Sequence, residues 1–250
     1  MNPTIQNQLN HRSIRKFKDI PLTSEEVNLL VDVAQHTSTS SFMQSYSILS
    51  VTDPDKKAKV AQIGNQNYIA ECGHLFIMLA DQHRNQLIAE EQGTDTEVLG
   101  SFDRFFVAAT DAILAAQNIM VAAEAMGLGG VFLGSTLNQV DQLIEIFNLP
   151  EHVVPVLGIA IGHPDQAPQL KPRLPREIMH FENTYPKLEN VCEALKDYDA
   201  IVHEYYDLRD ANNRVDAFTT QIAKGMTRKH PGRMQLLKFY QGQAFIKYLK

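Results

Sequence analysis

The sequence predicts a three-layer α+β or α/β core followed by a helical C-terminal extension. Three observations carry this. Helix-period and strand-period segments alternate through the first two thirds of the 250 residues. Two apolar runs, Leu75–Ala80 and Val153–Ile161, have strand length and no polar alternation, so they read as strands covered on both faces. Beyond about Leu188 the chain reads as helix with tyrosines interleaved, and no further strand signal follows. Length alone allows one to two domains. The expected division is a core over residues 1–175 and an extension over 176–250 that packs on the core or on a partner chain.

Each element has a local reason. Thr23-Ser24-Glu25-Glu26 is a capping box and opens a helix with Val27, Leu30, Val31 and Ala34 on one face. Thr37–Ser41 is a hydroxyl-rich loop, and Tyr46–Val51 reads as a strand. Asp53-Pro54 starts a short helix, with proline where its missing N–H costs nothing. Gln82–Glu97 is polar and reads as a surface excursion. A long Ala-rich helix runs from about Ser101 to Met126, and Gly127 suits a positive φ just past its end. Gly130–Leu133 is a short strand, and Asn138 is expected to cap the next helix. Prolines at 164, 168, 172 and 175 keep the following segment extended.

Composition excludes several classes. The apolar fraction of 44% is that of a globular chain. The net charge is −6, but residues 217–250 carry seven Lys/Arg and no acid, which leaves 16 − 29 = −13 on the rest. An acidic body with local basic foci fits small anionic ligands better than nucleic acid. The two cysteines, Cys72 and Cys192, are too far apart for a CxxC pair or a zinc knuckle. The N-terminus lacks the apolar core of a signal peptide. Asp111, Gln117, Asn118 and Glu124 interrupt the long helix, which suits a buried core helix rather than a membrane span. A cytoplasmic location is expected.

Two short segments carry phosphate-binding equipment. His11-Arg12-Ser13-Ile14-Arg15 offers two guanidinium forks, a hydroxyl and an imidazole within five residues. In Lys171-Pro172-Arg173-Leu174-Pro175 the prolines hold the chain extended, so Lys171 and Arg173 project to one side as a clamp. Gly127-Leu128-Gly129-Gly130 is not a dinucleotide fingerprint, because Phe132 stands where the third glycine belongs and the helix precedes the strand. Gly134 and Ser135 lead out of the strand, where backbone N–H groups can face a ligand. There is no P-loop, no GxSxG and no histidine pair at ligand spacing, so neither acyl transfer nor a metal site is expected. Two anion clamps with little acid–base equipment point to a cofactor that carries the chemistry.

At these residues the sequence resembles the NADPH-dependent, oxygen-insensitive nitroreductase and flavin reductase family. The likeness rests on HRSIRKF at 11–17, STSSFMQ at 38–44, AAEAMGLGGVFLGS at 122–135, GHP at 162–164, LKPRLP at 170–175 and EYYDLRDANNR at 204–214. It implies an α+β three-layer sandwich, a mostly antiparallel sheet flanked by helices, and a homodimer with FMN at two interface sites. It assigns His11, Arg12, Ser13, Arg15, Thr39, Gln66, Phe132, Leu133, Gly134, Ser135, Lys171 and Arg173 to FMN. Arg209 and Arg214 match the arginines that take the 2′-phosphate of NADPH. Ser40, Ser41, Phe42 and Asp103 are expected at the substrate pocket.

Three positions depart from the pattern. Thr39 replaces a common serine, Asp103 a glutamate, and Leu137 an arginine, and the last two bear on the preference for NADPH. The resemblance implies ping-pong transfer of two electrons from NADPH through FMN to nitroaromatics, quinones or free flavin. No side-chain catalyst is implied, and Lys171 would stabilise negative charge on the reduced ring. A non-catalytic flavin carrier or redox sensor on the same fold is the alternative, and it would not need Arg209 and Arg214.

Overall fold

The computed structural model describes residues 1–207 and 217–248. Contacts divide the chain into two compact units, Met1–Ala167 with His230–Lys250, and Pro168–Lys229. In chain order the first unit holds α1 (Pro3–Leu9), α2 (Ser24–Gln35), β1 (Tyr46–Val51), α3 (Pro54–Gly64), α4 (Tyr68–Glu71) and β2 (His74–Asp81). It continues with α5 (His83–Glu91), α6 (Phe102–Ala125), β3 (Gly129–Leu133), α7 (Val140–Ile146) and β4 (Val153–Gly162). The second unit holds α8 (Arg176–Met179), α9 (Val191–Ala194), α10 (Lys196–Asp207) and α11 (Phe218–Met226), and α12 (Leu236–Gly242) returns to the first.

The four strands form one antiparallel sheet in the order β1-β2-β4-β3. The expected α+β sandwich is what the sheet builds. Every residue of β2 is buried, as its unbroken apolar run requires. Alternate side chains feed two layers. Phe76, Met78 and Ala80 pack with Leu30 and Ala34 of α2 and the small residues of α6. Leu75, Ile77 and Leu79 pack with Val60 and Ile63 of α3 and Leu143 of α7. The β2–β4 register shifts at Met78/Leu79, opposite Leu157 and Pro155, where proline has no N–H to donate.

Helix α6 is long and apolar enough by length and composition to cross a membrane. Its face of Ala108, Ala112, Ala115, Ala116 and Ala123 is instead buried against the sheet, and small residues there let the helix axis approach closely. Thr23 closes its capping box with Glu26. Gly127 takes φ 78°, as expected past the end of α6. One expectation fails, since Asn138 makes no cap. The polar Gln82–Glu97 stretch is a surface excursion that contains α5, a helix with no buried residue.

The C-terminal run of the first unit is core. Tyr240, Phe245 and Ile246 are buried in the α2–α6 layer. The second unit has its own small cluster, in which Leu195, Tyr198 and Val202 pack with Leu174, Ile178 and Phe218. Asp199 accepts from Thr219 N at 2.9 Å and Thr219 Oγ1 at 2.5 Å, tying α10 to the start of α11.

Candidate active site

Strand β3 is an edge of the sheet, and the basic N-terminal segment is laid along it. Ser13 bridges Gly130 in parallel, and Ile14 N donates to Gly130 O at 2.9 Å. Phe17 bridges Pro164, and Lys18 N donates to His163 O at 2.9 Å. Gly129 makes this approach possible, since a Cβ there would lie 2.5 Å from Ile14 Cγ1, while a Cβ on Gly130 would lie 2.9 Å from Ala160 O of β4 and 3.0 Å from Met120 Cε of α6. His11 Nδ1 sits 2.5 Å from Glu124 Oε1 of α6, which fixes the imidazole. Arg12 Nη1 donates to Asn10 O at 2.9 Å. Lys16 is paired with Asp165 at 2.7 Å. Arg15 is exposed and reaches the Tyr68 hydroxyl. Burial pushes that hydroxyl up, against the charge and hydrogen bond of Arg15.

The turn after β3 supplies the second wall. Ser135 Oγ donates to Gln66 Oε1 at 2.9 Å. Gln66 follows Asn65, which ends α3 in the left-handed region at φ 50°. Leu133 is buried beneath the sheet, so it can offer a ligand only backbone, while Phe132 is half-buried on the opposite layer. Gly134 is open: a Cβ there would meet only Arg233 Nη2, at 3.6 Å. That guanidinium donates to Gly134 O and, through Nε, to Asn138 Oδ1 at 2.9 Å. Asn138 Nδ2 donates to Ile63 O at 3.3 Å, so this side chain anchors the turn rather than capping α7.

Ser13 on β3, Arg15 against Tyr68, and Gln66 against Ser135 therefore form one connected patch. It combines guanidinium forks and hydroxyls, which suit a phosphate, with a carboxamide and an open glycine backbone, which suit a planar polar ring.

The hydroxyl loop lies elsewhere on the same chain. Ser40 N and Ser45 N donate to the two oxygens of Asp111, at 3.0 and 3.1 Å. Thr39 is half-buried, while Ser40, Ser41 and Phe42 are exposed. Asp111 and Glu124 are 124 − 111 = 13 residues apart on α6, or about 20 Å along its axis. The loop and the His11–Arg15 segment thus meet α6 about four turns apart. Asp103 is exposed in the first turn of α6, and its neighbour Arg104 donates to Met43 Sδ at 3.3 Å. Phe102, Phe106 and Ile113 of α6 form an exposed stripe near that end.

In the second unit Lys171 and Arg173 are both exposed and line one cavity of about 530 Å³ with Leu174, Met179, Tyr198 and Phe218. Tyr198 Oη donates to Pro172 O at 3.2 Å, which steadies the segment between the two cations. Arg209 and Arg214 lie outside the described residues.

Residues 9–163 match the nitroreductase family, and residues 171–248 match its C-terminal domain. The chain belongs to the nitroreductase family. An FMN reductase (NADPH) of Bacillus subtilis (strain 168) is 43% identical over 232 residues, covering 92% of this chain and 93% of that protein. The structure of NfrA1 nitroreductase from B. subtilis superposes with a TM-score of 0.92 at 40% identity, covering 98% of this chain and 100% of that one. That of NADPH:FMN oxidoreductase from Vibrio harveyi, complexed with NAD+, gives 0.89 at 31%, covering 99% and 100%.

Within this nitroreductase the sequence pattern missed three residues of the patch. Tyr68, Glu124 and Arg233 were invisible to it because their partners are far away in the chain, Arg233 lying 99 residues from Gly134. Arg233 places a guanidinium on the turn whose own position 137 is leucine. Leu137 packs half-buried against the α2–α6 layer.

Proposed function

We propose that this nitroreductase is an FMN-dependent oxidoreductase that takes two electrons from NADPH and passes them, by ping-pong, to nitroaromatics, quinones or free flavin. The observations that support the reading are three contacts around β3: Ser13 bridges Gly130, Arg15 reaches Tyr68, and Gln66, two residues before Tyr68, accepts from Ser135. That donor set fits FMN: the arginines and Ser13 suit its phosphate, and Gln66 with the backbone of 132–135 suits its ring edge. Bound FMN supplies the hydride chemistry. The protein's work is to hold and orient. His11, pinned by Glu124, braces the phosphate end. Arg233 rigidifies the turn at Gly134. On the family resemblance Lys171 and Arg173 complete the clamp, Lys171 offsets charge on the reduced ring, and Arg209 and Arg214 take the 2′-phosphate of NADPH.

Thr39 we assign to the FMN of a second copy, and Ser40, Ser41, Phe42 and Asp103 to the substrate pocket over its ring. Support comes from the ~20 Å along α6 that separates this loop from the same chain's cations. The exposed Phe102–Phe106–Ile113 stripe supports it too, as an apolar face for a homodimer whose sites each draw on both chains. We place the enzyme in the cytoplasm, with its C-terminal extension over the partner subunit. The test is the absorbance spectrum and FMN content of the purified protein, with NADPH consumption in the presence of nitrofurazone. A yellow protein that consumes NADPH supports the reading. A colourless protein that neither binds added FMN nor oxidises NADPH refutes it, and flavin without turnover would make it a carrier.

A further inference from the structure

The loop 39–45 has a conformation its sequence does not favour. Ser41, Phe42 and Gln44 have φ values of 50°, 57° and 49°, and none is glycine. Left-handed backbone at side-chain-bearing residues persists only where surrounding contacts over-determine it. At the apex Phe42 is 82% exposed, so the strain is not repaid by burying its ring. The side chains that hold the loop come from two other elements, beside the backbone bond from Asp81 N to Ser45 O at 3.0 Å. Asp111 of α6 is 1% exposed and spends both carboxylate oxygens on the loop's backbone, one on Ser40 N and one on Ser45 N. From α5, Asn85 Nδ2 lies 3.3 Å from both Met43 O and Ser45 Oγ, and Arg84 donates to Tyr46 O at 3.4 Å and to Gln44 O.

We propose that Asp111 is the positioning residue that sets the loop over the substrate space, by clamping Ser40 N and Ser45 N so that Phe42 is presented outward in one conformation. The inference rests on the functional reading above. The physical reason for a carboxylate is its two acceptors: the amide of asparagine keeps one and turns two donors toward a backbone N–H. A buried charge satisfied by two N–H groups is also a fixed point, because losing either partner leaves an unpaired polar group.

The test compares Asp111→Asn, Asp111→Ala and Asn85→Ala in the FMN-loaded protein. Chymotrypsin cleaves after Phe42 only when the loop leaves its clamped form. Under native conditions, cleavage should be about tenfold faster in Asp111→Ala, a shift worth about 1.4 kcal/mol. It should rise less in Asp111→Asn, which keeps one acceptor, and in Asn85→Ala. In the same order, KM for nitrofurazone should rise, reaching about tenfold, while kcat stays within about twofold and FMN per chain is unchanged. The inference is overturned if the thermal midpoint falls but cleavage at Phe42 and KM stay at wild-type values, since Asp111 is then only part of the core. It is also overturned if kcat falls with no change in KM. Should Asp111→Ala fail to fold, Asp111→Asn and Asn85→Ala decide it. If the wild-type protein does not consume NADPH at all, the functional reading fails, and the cleavage rates still judge the clamp.

Discussion

Replacing Phe245 by alanine should be the most damaging single change in the C-terminal segment. The ring is fully buried and meets Phe105 and His152 edge-on, each at 5.5 Å between centroids. The backbone around it is tied down as well. Gln243 Nε2 donates to Pro150 O at 2.7 Å and Val153 O at 3.0 Å, His152 N donates to Gln243 O at 2.9 Å, and Lys247 N donates to Gly100 O at 2.7 Å. These bonds keep the segment from collapsing into the space left by the ring. The loss should therefore sit in the usual range for a buried Phe→Ala change, about 3–5 kcal/mol. At about 2–4 °C per kcal/mol for a chain of this size, the midpoint drops by roughly 6–20 °C. Urea denaturation and calorimetry at fixed FMN concentration measure both quantities. A loss below about 1 kcal/mol would refute the reasoning, because the segment would then be an appendage and not part of the core.

Three further outcomes are expected. Burial, with help from the Lys57 charge, pushes His74 down to about 4 from 6.5. The unfolded chain then binds the extra proton first, so stability is complete above pH 6.5 and falls as pH drops toward 4, by up to about 3 kcal/mol. His74→Gln should flatten that part of a pH–stability curve, and an unchanged slope would contradict the assignment. Arg233→Ala removes the guanidinium from Gly134 O and Asn138 and should raise the Kd for FMN about tenfold, read from recovery of free-flavin fluorescence. Thr23→Ala breaks the capping box of α2 and should cost about 1 kcal/mol in urea unfolding without altering flavin content.

The parts legible in the sequence were those fixed by local chemistry. Thr23 and Glu26, Asp53 with Pro54, and Gly127 all do what their residue types require at a helix end. The apolar runs of β2 and β4 declared two covered faces. Helix α5 was hidden because its apolar residues Leu87 and Ile88 face solvent and leave no core-facing stripe. Asn138 was misread because a cap and a tertiary anchor use the same side chain, and Arg233 decides between them. Asp111 read only as an interruption in an apolar helix. Its role depends on a loop 71 and 66 residues earlier, and on left-handed residues that carry no glycine signal. The cation segment at 11–15 was legible as anion-binding equipment, but its seat along β3 follows from the space that Gly129 leaves for Ile14 and from the Ile14 N to Gly130 O bond.

The central claim is that the β3 patch holds a flavin that NADPH reduces. Anaerobic mixing of the purified protein with a slight excess of NADPH in a stopped-flow cell tests it directly. The visible flavin band should bleach in a rapid first phase and return when nitrofurazone is added. Arg15→Ala, with its guanidinium withdrawn from the patch, should lose flavin before it loses fold. A band that stays unbleached by NADPH, on protein shown to carry FMN, would contradict the claim.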